Sequence, residues 1–407
     1  MLALWLVLGA TALVGLGLIA WRLRARGLGI WLVPYAVQTL RRRLPRREQE
    51  VHLLLCITDH FEPKNSGASP EQARQRVRRW VEDYPRQFGD FRDSDSRTPR
   101  HTFFYPMEAY DPEHLDALGT LCRAGFGEVE IHLHHNDDTA QSLHAQLLKF
   151  KALLTERHGL LSRRKGTGEV AYGFIHGNWA LCNSRPDGTW CGVNEELDVL
   201  RETGCYADFT YPSAPHPTQP VKINSLYYAR TLPGRRRSHH RGSDVGCGPE
   251  PADSLLLVQG PLALDWSHRK FGVVPRLENG CLQNSQPPAP SRIDTWLRAR
   301  VQVSSRPDWF FVKLYAHGAE EESMDALLGE PMRRFHEALV RRARGNPHFH
   351  YHYVTAREMY NLVKAAEAGW RGSVAEALNY QLVSNLVESA AYVPPAPHSR
   401  TLACEKG

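Results

Sequence analysis

The feature that most constrains the fold is a repeated alternation of short apolar segments with helical patterns. The first apolar segment, VHLLLCITDHFEP, precedes SPEQARQRVRRWVEDYPRQF, where Ser69 and Pro70 are typical of a helix start. Comparable segments follow at HTFFYPMEAY, EVEIHLHHNDD, VAYGFIHGNWAL, YADFTYPSAP, LLLVQGPLALDW, DWFFVKLYAHG and HFHYHYVTA. Strands that alternate with helices over about 300 residues predict a mainly parallel sheet.

The polar residues at the strand ends decide between two parallel architectures. Nearly every apolar segment ends in His, Asp, Asn or Tyr, and the carboxyl ends of barrel strands meet at one mouth. A doubly wound nucleotide-binding sheet would carry a Gly-rich turn after its first strand, and this chain has none there. The sequence therefore predicts an α/β fold, a (β/α)7-8 barrel, over residues 51–365.

The charge balance bears on the partner. The formal charge is +6, and residues 1–50 hold eight arginines against two glutamates, so the rest of the chain is neutral. Nucleic acid is bound by a basic face, and this balance argues against it as a partner. Residues 366–407 are expected to form a C-terminal helix and a poorly ordered tail.

An uncharged apolar run precedes the arginines. Residues 2–21, LALWLVLGATALVGLGLIAW, are long enough to cross a hydrocarbon core of about 30 Å. We therefore expect a single-pass transmembrane anchor over residues 1–26 and a basic juxtamembrane segment over residues 27–50, part of which lies along the interface. A cleaved signal peptide is the alternative, but its apolar region would follow a positive one. Because the arginines follow the run, the domain is expected on the cytoplasmic side of the cell membrane.

The eight cysteines are scattered and include no CxxC pair. This spacing predicts neither a zinc-thiolate site nor a disulfide framework. A bond between Cys182 and Cys191 stays open for an oxidising compartment.

The segment GEVEIHLHHNDD carries the strongest chemical signal. Alternation along a strand sends its apolar residues to one face and His132 and His134 to the other. His134 and Asp138 are four residues apart, so a helical turn after the strand brings them to one cation. Asp59 and His60 end the first strand and can supply a further ligand and a group that acts on water. Imidazole and carboxylate ligands suit zinc or a similar divalent ion.

The order of these motifs resembles that of the polysaccharide deacetylases with a NodB-homology domain, the family 4 carbohydrate esterases, over the whole predicted barrel. The resemblance implies that Asp59 is the general base and that His317, in FFVKLYAHG, is the general acid. It also implies that His60, His134 and Asp138 bind the metal. Two motifs differ from the family's pattern, because His60 stands where a second aspartate is usual and GFIHGNWAL replaces an Arg-Pro segment.

The function that the resemblance implies is zinc-dependent removal of acetyl groups from a polysaccharide or glycan at the membrane. Aromatic faces stack on sugar rings, and amides bind their hydroxyls. The candidate substrate-binding residues are His176, Asn178, Trp179 and Tyr211.

Two other functions stay open. A glycoside hydrolase would use two carboxylates and no metal. The carboxylates available for such a pair are Asp59, Glu62, Glu108, Asp138, Asp208 and Asp265. A membrane-tethered carbohydrate-binding or assembly protein without turnover is the other alternative, which the altered motifs favour.

Overall fold

The computed structural model describes residues 27–246 and 248–386, with a few isolated positions before residue 22. Within this part of the chain, no helix is both long and apolar enough to cross a membrane. The predicted anchor, residues 1–26, lies largely outside the described residues, and so does the tail beyond residue 386.

The described residues form strands and helices in alternation over most of their length. The strands are β1 (Val51–His60), β2 (His101–Pro106), β3 (Gly127–Leu133), β4 (Ser162–Arg164), β5 (Val170–His176), β6 (Cys205–Asp208), β7 (Leu226–Ala229), β8 (Ser243–Asp244), β9 (Leu255–Val258), β10 (Ala263–Lys270), β11 (Val274–Glu278), β12 (Cys281–Leu282), β13 (Trp309–Ala316), β14 (Phe349–Tyr353) and β15 (Leu382–Ser384). The α-helices are α1 (Leu32–Arg41), α2 (Pro70–Phe88), α3 (Pro112–Leu121), α4 (Ala140–Ala152), α5 (Glu196–Glu202), α6 (Pro290–Ala299), α7 (Glu321–Leu328), α8 (Glu330–Gly345), α9 (Ala356–Glu367) and α10 (Val374–Ala377).

One large sheet organises the domain. Its main path runs β12-β13-β1-β2-β3-β5-β6-β9-β7-β8, and β14 also pairs with β1. Every neighbouring pair from β12 to β9 is parallel, whereas β7 and β8 pair antiparallel at the far end. The α/β class and the mainly parallel sheet predicted from the sequence are therefore confirmed.

The sheet is strongly curved. Lys313 of β13 donates a hydrogen bond from Nζ to the carbonyl oxygen of Phe209, directly after β6, at 2.6 Å. These strands stand five positions apart in the sheet, which is about 24 Å in a flat sheet with strands 4.8 Å apart. The sheet must therefore curl until they face each other. Among the described strands, no backbone pairing joins β12 or β13 to β9, β7 or β8, so the predicted closed barrel is not shown.

Two apolar layers hold the curved sheet. On the convex side, residues such as Val129 and Ile131 of β3 pack in one core with the helix residues Trp80 and Leu118. On the concave side, strand residues such as Cys56, Phe104, Ile175 and Leu256 pack with α9, whose Met359 and Leu362 are fully buried. Helix α9 thus fills the interior, and the strands are left to present polar residues at their carboxyl ends.

The segment before the sheet is docked on the domain. Trp31 is fully buried and packs with Ala214, Ile223 and Leu262, and Gln38 donates a hydrogen bond from Nε2 to the Ile223 carbonyl at 2.9 Å. Residues 27–41, part of the predicted juxtamembrane segment, therefore have one face packed on the protein.

Candidate metal centre

A cleft of about 470 Å³ opens at the carboxyl ends of β1, β3 and β13. Its walls come from the segments that follow these strands and β2 and β5, as expected for an α/β sheet whose strand ends converge. The lining residues are His60, Glu62, Lys64, Asn65, Pro106, Glu108, Ala109, His134, Asn178, Trp179, Trp190 and His317. The cleft brings together His60, His134, Asn178, Trp179 and His317, which the sequence analysis selected from four separate segments.

Three side chains at the cleft are arranged to hold a metal ion. One nitrogen of His132, one nitrogen of His134 and one carboxylate oxygen of Glu62 lie within 4.8 Å of one another. The Glu62 oxygen Oε1 is 3.1 Å from His134 Nε2 and 3.6 Å from His132 Nε2. Two imidazoles and one carboxylate form a donor set that suits zinc and leaves positions for water and substrate.

The two imidazoles are held by outer partners. His132 directs Nδ1 at the carbonyl oxygen of Ile175, at 2.8 Å, so the proton lies on Nδ1 and the Nε2 lone pair faces Glu62. That Nε2 is buried and has no hydrogen-bond partner among the described residues. His134 directs Nδ1 at the carboxylate of Glu108, which leaves its Nε2 toward Glu62. Such partners fix the tautomer and the ring orientation of metal-binding histidines, so the residues present fit a divalent ion.

The charges of the group follow from these contacts. Burial raises the pKa of Glu62, but the imidazoles of His132 and His134, when they are protonated, outweigh burial and bring this pKa below its usual value. Burial lowers the pKa of His134, but the hydrogen bond to Glu108 and the charge of Glu62 outweigh it and raise this pKa. Glu62 therefore keeps the negative charge that a cation requires.

Two further imidazoles border the group. The ring centre of His60 lies 4.9 Å from that of His132 and 4.7 Å from that of His317. Burial, together with His317 and His132, holds the pKa of His60 well below its usual value. His60 is therefore neutral at pH 7, and a cation bound beside it would act in the same direction.

Asp59 does not lie at the cleft. It is fully buried between the sheet and α2, where Oδ2 is 2.8 Å from His101 Nε2 and Oδ1 accepts a hydrogen bond from the Gly318 amide at 2.6 Å. Alternation along β1 explains this placement, because Asp59 shares the convex face with Ile57 while His60 points to the other face. The structure does not place Asp59 where the predicted general base would have to be.

Asp138 is also separate from His134. Its Oδ1 accepts hydrogen bonds from Ser142 Oγ at 2.7 Å and Gln146 Nε2 at 2.9 Å, and its Oδ2 is 3.0 Å from His135 Nδ1. The predicted helical turn does not form, because α4 begins only at Ala140 and Asp137 has a positive φ of 55°.

The predicted substrate-binding residues divide into two pairs. Asn178 and Trp179 line the cleft. His176 is fully buried behind it, with Nε2 3.2 Å from Glu196 Oε1. Tyr211 stacks on a buried histidine and donates its hydroxyl hydrogen to the Trp179 carbonyl oxygen at 3.1 Å. Tyr211 therefore supports the backbone of Trp179 and does not line the cleft.

Sequence reasoning selected neither Glu62 nor His132 as a metal ligand. The signal for both was strand parity: Glu62 shares the inward side with His60, and His132 shares it with His134. Glu108 follows β2 and depends on a long-range contact that local spacing does not reveal.

Glu50, His52 and His350 form another group of possible metal ligands. It lies at the amino ends of β1 and β14, opposite the cleft, and Glu50 is exposed. Functional residues of parallel α/β sheets gather at the carboxyl ends, so the cleft is the stronger candidate.

No protein-family model matches the sequence, and a search of curated proteins finds no significant match. The resemblance to polysaccharide deacetylases therefore stays a prediction.

Proposed function

We propose that the protein is a metal-dependent hydrolase that removes acetyl groups from a carbohydrate, on an incompletely closed β/α barrel. The observation that carries the proposal is the Glu62, His132 and His134 group, which borders an open cleft beside His60 and His317. A divalent ion of the zinc class held there would supply Lewis acidity, which polarises an acyl carbonyl and acidifies water. Glu62 and His132 thus take the places expected for His60 and Asp138 from the resemblance, while His134 keeps its expected role.

The two free imidazoles supply the acid-base chemistry in this proposal. His60 is neutral and lies beside the group, so it can accept the proton of the attacking water. His317 faces the cleft next to His60 and protonates the departing amine or sugar oxygen. His60 thus takes the role that the resemblance implied for Asp59, and His317 keeps the implied role.

The walls of the cleft support a carbohydrate substrate. Trp179 and Trp190 offer aromatic faces, and Asn178, Asn65 and Lys64 offer hydrogen-bond donors. Polar groups set among aromatic faces on an open cleft are suited to sugar hydroxyls and rings.

A membrane location is supported by apolar side chains that are exposed on two neighbouring elements. The β10–β11 hairpin exposes Phe271 at 94 % of its surface, and α1 exposes Val33 and Leu40. The hairpin backbone donates a hydrogen bond to the hydroxyl of Tyr35 in α1, and Lys270 adds positive charge. Apolar side chains beside basic ones are typical of membrane-surface contacts.

We place the domain on the cytoplasmic side of the membrane. A reporter fused at the C-terminus that is active only outside the cytoplasm would contradict this placement.

Acetate release from N- and O-acetylated oligosaccharides by the purified protein tests the proposed activity. We expect a chelator to abolish release and Glu62→Gln to lower it more than about 100-fold, because the group loses its charged ligand. Asp137→Asn is the matched control, since Asp137 is exposed and asparagine tolerates its backbone conformation.

Each competing function predicts a different result. A glycoside hydrolase would release reducing sugar and keep its activity in the chelator. A binding protein would retain metal and glycan and release no acetate.

A further inference from the structure

Four donor atoms converge behind the cleft, outside the group that the proposed function uses. They belong to His135, His176, Cys191 and Glu196, and all lie within 4.8 Å of one another. Each of the four residues is buried. Glu196 Oε1 is 3.3 Å from His135 Nε2 and 3.2 Å from His176 Nε2, and Glu196 Oε2 is 3.3 Å from Cys191 Sγ.

The distances from the Glu196 oxygens to the other three donors match those between neighbouring ligands of a tetrahedral zinc ion. Zinc bonds of about 2.0–2.3 Å to nitrogen, oxygen and sulfur place neighbouring ligand atoms about 3.3–3.7 Å apart. A site with four protein donors and no exposed face is typical of structural zinc sites, whereas catalytic sites keep one position open.

Three of the four residues have a hydrogen-bond partner outside the group, and a carboxylate lies beside the fourth, His135. His135 Nδ1 is 3.0 Å from Asp138 Oδ2, and His176 directs Nδ1 at the carbonyl oxygen of Gly177. Cys191 Sγ accepts hydrogen bonds from two backbone amides, at 3.3 and 3.4 Å. Glu196 Oε2 accepts one from a backbone amide at 2.5 Å. Amide donors stabilise a thiolate and a carboxylate, and a carboxylate behind a histidine is the usual support of a metal-bound imidazole.

The contact between His176 and Glu196 is favourable only with a cation between the two side chains. Because Nδ1 of His176 donates to Gly177, its Nε2 carries a lone pair. This Nε2 has no hydrogen-bond partner among the described residues, although Glu196 Oε1 is 3.2 Å away. Two lone pairs that face each other in a buried space are unfavourable without a positive charge between them.

We propose that His135, His176, Cys191 and Glu196 form a closed structural site for one divalent ion of the zinc class, separate from the cleft. Two imidazoles and a thiolate select zinc over magnesium, calcium or manganese. Binding releases the thiol proton of Cys191 as the sulfur–metal bond forms.

The site joins four parts of the chain. His135 follows β3, His176 ends β5, Cys191 lies in the loop between β5 and α5, and Glu196 begins α5. Residues 177–195 carry the cleft residues Asn178, Trp179 and Trp190. The ion would therefore hold the wall of the cleft in place without touching substrate.

Metal analysis of the full-length protein tests the proposal. We expect about two equivalents of zinc, and one after Cys191→Ser. Replacement of zinc by Co²⁺ should give a thiolate-to-cobalt charge-transfer band, because this group, unlike the other two groups of possible ligands among the described residues, contains a cysteine. Cys182→Ser is the matched control, since Cys182 is buried in the same loop and is not one of the four donors. Glu62→Gln should lose the other equivalent and keep the band.

A second measurement covers the case in which Cys191→Ser does not fold. In the unchanged protein, zinc should protect Cys191 from alkylation, and a chelator should expose it, as read by mass spectrometry of its peptide. The proposal is wrong if cobalt gives no charge-transfer band, if the band survives in Cys191→Ser, or if Cys191 is found in a disulfide with Cys182.

Discussion

Replacing Lys313 by methionine tests whether the sheet curls as described. Lys313 is 1 % exposed and donates to the Phe209 carbonyl across the interior. Burial lowers the pKa of its ammonium from 10.5 to about 7, against the raising effect of Asp208. Between these values the unfolded chain binds one more proton than the folded protein, so wild-type stability rises with pH and falls as pH drops through the folded pKa.

The expected difference in unfolding free energy follows from the pKa shift of Lys313. One proton of difference gives about 1.4 kcal/mol per pH unit, so the stability advantage of the wild type over Lys313→Met should grow by about 3 kcal/mol from pH 7.5 to pH 10. Asp208 does not oppose this trend. Burial raises its pKa to about 7, and above the folded pKa of Lys313 the neutral amine no longer lowers the pKa of Asp208, so the carboxylate affects the wild type and the variant alike.

Urea unfolding followed by tryptophan fluorescence at several pH values measures this difference. Lys364→Met is the matched control. Lys364 is buried too, but Glu367 and Glu250 outweigh burial and raise its pKa above 10.5. The stability difference between the wild type and Lys364→Met should therefore stay constant from pH 7.5 to pH 10. A pH-independent difference for Lys313→Met would mean that its ammonium is solvated. In that case β13 and β6 would not face each other across the interior.

Two further changes test the cleft and the membrane surface. Glu108→Ala should weaken metal binding at the cleft about 10–100-fold, because His134 loses the carboxylate that orients its ring. Competition with a chelator measures the affinity, and an unchanged affinity would contradict the assigned orientation of His134. In a chain without residues 1–26, Phe271→Ser should lower binding to phosphatidylserine-containing vesicles about 10-fold, as measured by sedimentation. Leu148→Ser, an exposed apolar residue on α4, should leave vesicle binding unchanged, and equal losses in both variants would remove the case for a specific surface.

Local signals predicted the elements well, because each depends on residues near in sequence. Ser69 caps α2 in a capping box with Gln72, and Pro70 begins the helix as its sequence indicated. The alternation of strands and helices likewise gave the parallel sheet. The curvature of that sheet depends on contacts such as Lys313 to Phe209, which join residues 104 positions apart and leave no local pattern.

The spacing of the cysteines shows a second limit of sequence reasoning. Scattered cysteines without a CxxC pair indicated no thiolate site, yet Cys191 lies among two histidines and a glutamate. A metal group that takes one ligand from each of several segments has no characteristic spacing, so only the fold brings its members together.

The placement of the histidines in residues 132–138 follows from where β3 ends. His132 and His134 belong to the same group of possible metal ligands because they are two residues apart, which is the period of a strand, and the extended backbone keeps them on one side. His135 is the next residue along, so its side chain points the other way, into the group with Cys191. Asp138 follows His135 by the turn before α4 and supports that imidazole instead of binding beside His134. Side chains at a strand end therefore keep the strand's two-residue alternation until a helix begins. By this rule one short segment supplies possible ligands to two separate groups.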